Sequence, residues 1–210
     1  MYVPASFKIA DAAEVHGFMR RHSFATLVTQ GGGGMTATHL PILLDADAGP
    51  RGTLLGHVAR ANPQWKTAEG EALVIFAGPH AYISPSWYET PGTVPTWNYV
   101  AVHAYGALQL VEDSGSLHDI LTRMVSVYER GMPEPWSYDV ADPDLDGMLK
   151  AIVGFRIEIT RLEGKAKLNQ NHPEERRRKV VRALESRPDE DSQAIAGLMA
   201  ATLKPSADGV

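Results

Sequence analysis

Three stretches of the chain gather side chains that could hold a ligand. The first is Thr36-Ala37-Thr38-His39-Leu40-Pro41, where small or hydroxyl-bearing residues alternate with apolar ones. The second is Gly56-His57-Val58-Ala59-Arg60-Ala61-Asn62-Pro63-Gln64-Trp65. It reads as a strand running into a helix start, with Asn62 as the N-cap and Pro63 at the first helical position. A strand end, a helix N-terminus and the Arg60 guanidinium together suit a phosphate group. The backbone N–H groups favour the anion, and the guanidinium offers two parallel hydrogen bonds. The competing reading makes Arg60 a surface residue beside an ordinary cap. The third stretch joins Tyr82-Ile83-Ser84-Pro85-Ser86-Trp87-Tyr88 to Val94-Pro95-Thr96-Trp97-Asn98-Tyr99. This density of aromatic and polar groups can wall a planar ligand, form an aromatic core, or face a second subunit.

Other chemistries find no support in the residues. The chain has no cysteine, so thiolate metal sites, disulfides and a cysteine nucleophile are excluded. Its eight histidines form neither His-Glu-x-x-His nor a His-x-x-x-His pair, and no metal site is expected. Gly-x-Ser-x-Gly is absent. The four glycines Gly31 to Gly34 are not followed by Lys-Ser/Thr or by a helix, so they read as a hairpin turn and not as a phosphate loop. No side chain declares itself as a general acid or base; His103 and Tyr99 are merely available.

The elements that must carry these residues follow from hydrophobic period and punctuation. Helices are expected over Asp11–His22, Ser116–Arg130, Pro173–Leu184 and Ser192–Leu203. Short ones are expected at Asn62-Pro63 and from Asp142-Pro143 to near Ile152. Strands are expected over Phe24–Gln30, Met35–Leu44, Thr53–Ala59, Ala72–Ser84 with a kink at Gly78-Pro79, Thr96–Val111 with a bend at Gly106, and Gly154–Leu162. The early strands follow one another without intervening helices. That argues for an antiparallel barrel of about six strands with peripheral helices, mainly β with α (α+β), and against parallel winding.

The chain has 210 residues, a formal charge of −5 and 44% hydrophobic residues, ordinary for a globular fold. The charge is uneven. Between Arg161 and Arg187, nine basic residues against four acids give +5, which leaves −10 for the rest. Such a basic tail on an acidic body is either a patch for an anionic partner or a solvated helix face. The uncharged run from Thr90 to Val111 is broken by prolines, glycines, Asn98, His103 and Gln109, so no membrane span is expected. The opening Met-Tyr-Val-Pro lacks the basic-then-apolar pattern of a secretory leader, and a cytoplasmic location is expected.

Several motifs occur in order: Tyr82 to Tyr88, Val94 to Tyr99 followed by Val102-His103-Ala104-Tyr105-Gly106, and Gly164-Lys165-Ala166-Lys167-Leu168-Asn169-Gln170-Asn171. With these the chain resembles the PaiB-like FMN-binding negative transcriptional regulators over nearly its whole length. The resemblance implies a six-stranded antiparallel split β-barrel, related in fold to pyridoxamine phosphate oxidases. Residues 1–163 would form the FMN-binding domain and 164–210 a basic helical segment packed on it. It implies a homodimer with FMN at the subunit interface. Thr36, Ala37, Thr38 and His39 would line the flavin. His57, Val58, Ala59, Arg60 and Asn62 would hold its phosphate, and Trp97, Asn98 and Tyr99 would reach the flavin of the other subunit. Lys167, Gln170 and Asn171 match the family's late motif. Ala166, Asn169 and His172 depart from the usual Trp, Ser and Arg of that motif. Thr36 or Thr38 replaces a basic residue common on the first flavin strand, so weaker flavin binding is expected. A repressor could contact DNA through Lys165 to Arg187. The alternatives are a flavin-dependent oxidoreductase acting on a small molecule and a haem-binding barrel using His39, His57 or His172.

Overall fold

The structure is a computed structural model that describes residues 1–139 and 147–203. The expected helix start at Asp142-Pro143 and the extreme C-terminus lie outside the described residues. Nine strands are present among the described residues: β1 (Lys8–Ile9), β2 (Phe24–Gly31), β3 (Gly34–Pro41), β4 (Leu43–Asp45), β5 (Thr53–Ala59), β6 (Glu69–Ile83), β7 (Thr96–Val111), β8 (Ile152–Glu158) and β9 (Arg161–Lys167). The helices are α1 (Ala12–Arg21), α2 (Gln64–Thr67), α3 (Ser114–Glu129), α4 (Glu174–Glu185) and α5 (Glu190–Ala201).

The antiparallel α+β class holds, with nine strands where six were expected. The hydrogen-bonded order is β3-β2-β6-β7-β8-β5-β4, with β9 on β7 and β1 on β9. The expected closure is not made: this path begins on β3 and ends on β4 without those strands pairing among the described residues. The extra strands have local causes. The run from Met35 to Leu44 splits at Ile42, whose N–H bonds the Ser23 carbonyl and turns the chain from β3 into β4. The charged sequence Arg-Leu-Glu-Gly-Lys-Ala-Lys of β9 was expected to open the basic tail; instead Lys165 pairs with Lys8 and Gly164 with Ile9.

The chain forms two compact units. The first comprises Ala12–Phe76 and His103–Leu162. Here β2 and β3 form a hairpin with Gly31 opposite Gly34 and two residues, Gly32 and Gly33, in the turn. Gly34 takes φ +104, a conformation only glycine adopts freely, which accounts for the glycine run as a tight turn. β6 pairs with β2 through a bulge, Val28 facing Leu73 and Gln30 facing Glu69. The helix α3 starts two residues earlier than Ser116 suggested, because Asp113 is the N-cap and its Oδ1 accepts from Ser116 N at 2.7 Å. It buries Leu117, Ile120 and Met124. Ile120 and Met124 pack on Leu43, Leu55 and Val111. Each such burial is worth about 1.5–3 kcal/mol.

The second unit comprises Met1–Asp11, Ala77–Val102 and Glu163–Val210. α4 and α5 pack together, burying Val180, Val181, Leu184, Ile195 and Met199. α4 also packs on the 3-10 turn Pro85–Tyr88. β6 and β7 pass through both units, and Gly78-Pro79 lies within an uninterrupted β6 where a kink was expected.

Gly106 meets a hard constraint in the first unit. A Cβ built there would stand 2.1 Å from the Glu158 carbonyl oxygen and 2.7 Å from Ile157 Cγ2. The residue is glycine because the backbone of β8 passes where a side chain would be. Gly106→Ala is expected to destabilise the fold by about 1–3 kcal/mol in chemical denaturation. Gly32→Ala, with nothing within 4 Å of its added carbon, is expected to leave the midpoint unchanged. Equal midpoints for both variants would show that β7 and β8 tolerate separation here.

Candidate functional site

The first two sequence stretches meet in the first unit, and the residue that joins them is Gln64. It opens α2 and is 1% exposed. Its Nε2 donates to the carbonyls of Leu27 (3.2 Å) and Thr36 (3.2 Å) and to Thr29 Oγ1 (3.1 Å). Its Oε1 accepts from the Thr38 hydroxyl at 2.6 Å. The same hydroxyl oxygen accepts from Asn62 Nδ2 at 2.9 Å, and Asn62 Oδ1 accepts from Gln64 N at 3.0 Å. Pro63 already has helical dihedrals (φ −72, ψ −11), so Asn62 caps as the sequence suggested. The strand β3 is thereby tied to the β5–α2 turn as well as to β2.

The strand itself is open. Thr36, Ala37 and His39 are exposed and Thr38 is half-buried. Thr36 and Thr38 share one face by the period of two. On the other face His39 Nδ1 is 2.9 Å from Thr26 Oγ1, its cross-strand partner. Beyond Val58, which is buried, and Ala59, which is exposed, Arg60 follows the end of β5. Its Nε donates to the Lys150 carbonyl (2.6 Å), its Nη2 to the Ile152 carbonyl (2.8 Å), and its backbone N to the Ala151 carbonyl (2.8 Å). The guanidinium therefore clamps β5 to the start of β8. These two partners are neutral carbonyls, no acid pairs with the guanidinium among the described residues, and Nη1 takes no part in the clamp. Trp65 Nε1 donates back to the Arg60 carbonyl at 3.1 Å, which fixes the turn. His57 faces inward; its Nδ1 is buried with no hydrogen-bond partner among the described residues. Burial lowers its pKa, so the ring is neutral near pH 7.

The remaining expected residues lie in the second unit. Trp97 is 52% exposed, with Tyr82 edge-on at 6.0 Å and His80 at 5.8 Å between ring centroids. Asn98 is fully buried; its Nδ2 points at Met199 Sδ (3.3 Å), and its Oδ1 has no partner among the described residues. Tyr99 lies 5.0 Å beneath Lys165 Nζ, which also donates to the Tyr2 carbonyl at 3.1 Å. Lys167 Nζ donates to Thr96 Oγ1 and to the Trp97 carbonyl (2.9 Å). Burial lowers its pKa, and neighbouring Lys165 adds to that fall. Gln170 is spent on its own loop: Nε2 donates to the Ala166 carbonyl (2.6 Å) and Oε1 accepts from Leu168 N (2.7 Å). Asn171 is exposed. The residues that depart from the family motif have local work. Asn169, at φ 62, donates from Nδ2 to the buried Tyr88 hydroxyl (2.9 Å), and His172 stacks on the Tyr88 ring at 5.0 Å and 16°.

A groove of about 670 Å³ in the first unit is lined by Asp45, Asp119, Arg123, Arg156 and Glu158 among others, and by none of the residues singled out from the sequence. Its Arg123 is held by Asp45 at 2.9 Å. Among the described residues no cluster of three His, Asp or Glu could hold a metal ion, and no helix is long and apolar enough to cross a membrane.

Gln64 was absent from the sequence-derived set. The one available signal was its place directly after Asn-Pro at a helix start, where a long polar side chain can turn back into the fold. Composition favours an exposed glutamine.

The donor set at the β5–α2 turn fits an anionic ligand. Arg60 brings a charge, Asn62 an amide and Thr36 a hydroxyl, with no carboxylate among them; the His39 ring lies on the other face of β3. A family model described as "Putative FMN-binding domain" matches residues 1–161. The chain is 40% identical over 207 residues to "Protease synthase and sporulation protein PAI 2" of Bacillus subtilis, covering 97% of this chain and 99% of that one. An uncharacterized protein of Aspergillus fumigatus is 30% identical over 210 residues, 77% of this chain and 80% of that one. Among solved structures, a conserved hypothetical protein of Mycobacterium tuberculosis matches at TM-score 0.57 with 19% identity, over 82% of this chain and 94% of that one. A FAD and heme binding protein of Mycobacterium smegmatis matches at TM-score 0.58 with 12% identity, over 76% and 73%. Those two likenesses show a shared fold; the family match and the full-length relative show more. The chain belongs to the FMN-binding domain family, and FMN is its cofactor.

Proposed function

We propose that this protein is a homodimeric FMN-binding regulator of the PAI 2 type, which represses transcription. The observation that carries the reading is the match to the Bacillus protein along 97% of the chain. FMN supplies a redox-active isoalloxazine ring when bound. The chain's own residues do the holding. Arg60 and Asn62 at the β5–α2 turn take the phosphate, and Thr36, Ala37, Thr38 and His39 run beside the flavin, with His57, Val58 and Ala59 behind. The exposed face of β3 and the exposed Trp97 ring support the homodimer: Met35 is 75% and Trp97 52% exposed, large apolar surfaces of the kind subunit contacts cover. In that dimer Trp97 and Tyr99 of one copy reach the flavin of the other, with Lys167 and Asn171 beside them, while Asn98, fully buried against Met199, and Gln170, bonded within its own loop, hold that segment in place.

The DNA contact rests on a smaller charge than the sequence suggested. Arg178 is paired with Glu174 (2.5 Å), Lys179 with Glu89 (2.9 Å) and Glu175 (3.4 Å), and Arg187 with Asp189 (3.1 Å). Arg177 donates to Thr202. Arg176 and Arg182 carry no ion pair within 4 Å among the described residues, and they are the cations of α4 we assign to phosphate contact.

Two outcomes are expected. In a flavin-fluorescence titration of the apo protein, FMN binds saturably, and Arg60→Ala raises Kd by about tenfold, the scale of one charge-assisted hydrogen bond. Arg60→Lys recovers part of that affinity through its charge, while its melting temperature stays low because Lys cannot hold both the Lys150 and Ile152 carbonyls. Unchanged FMN affinity in Arg60→Ala would contradict the phosphate assignment. In a binding assay on duplex DNA carried out over a salt series, affinity falls with salt, and the Arg176→Ala, Arg182→Ala double variant flattens the slope by about two. Absence of binding at low salt, or an unaltered slope, would remove the DNA contact.

A further inference from the structure

The strand β8 turns two opposite charges towards the groove of the first unit. Phe155 and Ile157 are buried on one face, so by the period of two Arg156 and Glu158 share the other, which lines the groove of about 670 Å³. That volume is in the range of small-molecule sites, about 300–1,000 Å³. The two side chains are drawn to opposite walls. Arg156 faces Gln109 of β7 in the ladder, and its Nε donates to Gln109 Oε1 at 2.9 Å. Glu158 leans the other way, onto the loop between β4 and β5, where a Cβ added at Gly49 would stand 3.3 Å from its Cγ. The other charges of the groove are engaged. Arg123 is shared by Asp45 (2.9 Å) and Asp119 (3.8 Å), and Asp113 Oδ1 caps α3 through Ser116 N. Among the described residues Arg156 makes no further side-chain hydrogen bond, Glu158 makes none, and neither has an ion pair. One guanidinium edge and one carboxylate are left, on facing walls. Between them the floor is apolar: Leu55, the ladder partner of Arg156, with Val111 and Ile120.

We propose that this groove binds a free aliphatic α-amino acid, with its carboxylate on Arg156, its ammonium on Glu158 and its side chain on the Leu55 floor. A simple anion placed here meets the Glu158 carboxylate, and a simple cation meets Arg156. A zwitterion satisfies both. With Nε spent on Gln109, the guanidinium still offers Nη1 and Nη2 as a parallel pair of donors to a carboxylate. Two residues apart on a strand, the Cα atoms of Arg156 and Glu158 are separated by about 6.6 Å. With a charge-assisted hydrogen bond of about 2.8 Å at each end, a molecule whose two charged groups share one carbon bridges side chains so spaced. The groove shares no residue with the FMN site, so this second ligand is independent of the first.

The experiment titrates L-leucine, leucinamide and 4-methylpentanoate into the full-length, isotope-labelled protein and reads the NMR shifts of the Gln109, Arg156 and Glu158 amides. It uses native protein, Arg156→Gln and Glu158→Gln, with and without saturating FMN. Leucine is expected to shift those amides saturably in native protein. Leucinamide lacks the carboxylate and 4-methylpentanoate lacks the ammonium. Each is expected to bind at least about tenfold more weakly than leucine, the scale of one lost charge-assisted hydrogen bond. Arg156→Gln is expected to lose the preference for leucine over leucinamide, and Glu158→Gln the preference for leucine over 4-methylpentanoate. Both side chains are exposed, so both variants are expected to melt with the native protein. Leucine that leaves the three amides unmoved in native protein would overturn the proposal. So would equal affinity for the three compounds, or folded variants that keep both preferences. Displacement of leucine by FMN would make the groove the flavin's own site and overturn it as well. If a variant does not fold, the three-compound series on native protein decides alone. None of these results bears on FMN binding at the β5–α2 turn except the last competition, which reports it directly.

Discussion

A carboxamide buried away from water must find partners for all its polar atoms or cost several kilocalories per mole. Gln64 meets that requirement by reaching back from the first turn of α2 to β2 and β3, and much of the local architecture follows from the reach. The strand β3 forms one end of the hydrogen-bonded strand order, paired among the described residues only on its β2 side. Such a strand frays or invites unwanted partners unless something holds it. Here a side chain from a different element bonds both its Thr36 carbonyl and its Thr38 hydroxyl, so the open strand stays in register without a second strand beside it. A strand that is ordered and still open is what a flavin or a second subunit needs to bind against.

Neighbouring constraints serve the same turn. Arg60 spends part of its guanidinium on the carbonyls flanking Ala151, which pins the end of β5 to β8. Trp65 closes the turn by bonding the Arg60 carbonyl. Gly31 leaves room for the end of α2: a Cβ there would lie 2.0 Å from the Thr67 carbonyl oxygen. The glycine run is thus a hairpin whose first residue also admits a helix. In the second unit, Tyr88, Asn169 and His172 form a comparable fixed point between the Pro85–Tyr88 turn and the loop before α4. This gives a structural use to two positions that differ from the family's usual residues.

Much of this was legible in the sequence, and the parts that were not share a cause. Periodicity and punctuation found α1, α3, α4, α5 and the long strands to within a few residues, since each depends on a local pattern. Thr36 to His39 and His57 to Asn62 were each expected to face a ligand, yet their meeting through Gln64 was invisible, because a long-range side-chain bond leaves no period. The strand β9 was missed because Lys165 and Lys167 read as tail charge. Lys165 is instead 7% exposed above the Tyr99 ring, where a cation is tolerated by the aromatic face and the Tyr2 carbonyl. The +5 segment looked like a surface for an anion, but several of its cations find acids at i−4 or on the turn after Tyr88, pairings that charge counting does not resolve.

The central claim is that the β5–α2 turn, tied to β3 through Gln64, receives the phosphate of FMN. The most direct measurement is a crystal structure of the FMN complex, read at the distance between Asn62 Nδ2 and the phosphate oxygens. The account predicts about 3 Å, with the Gln64–Thr38–Asn62 ring intact. A phosphate bound elsewhere on the chain, with the Asn62 amide turned away from it, would contradict the account.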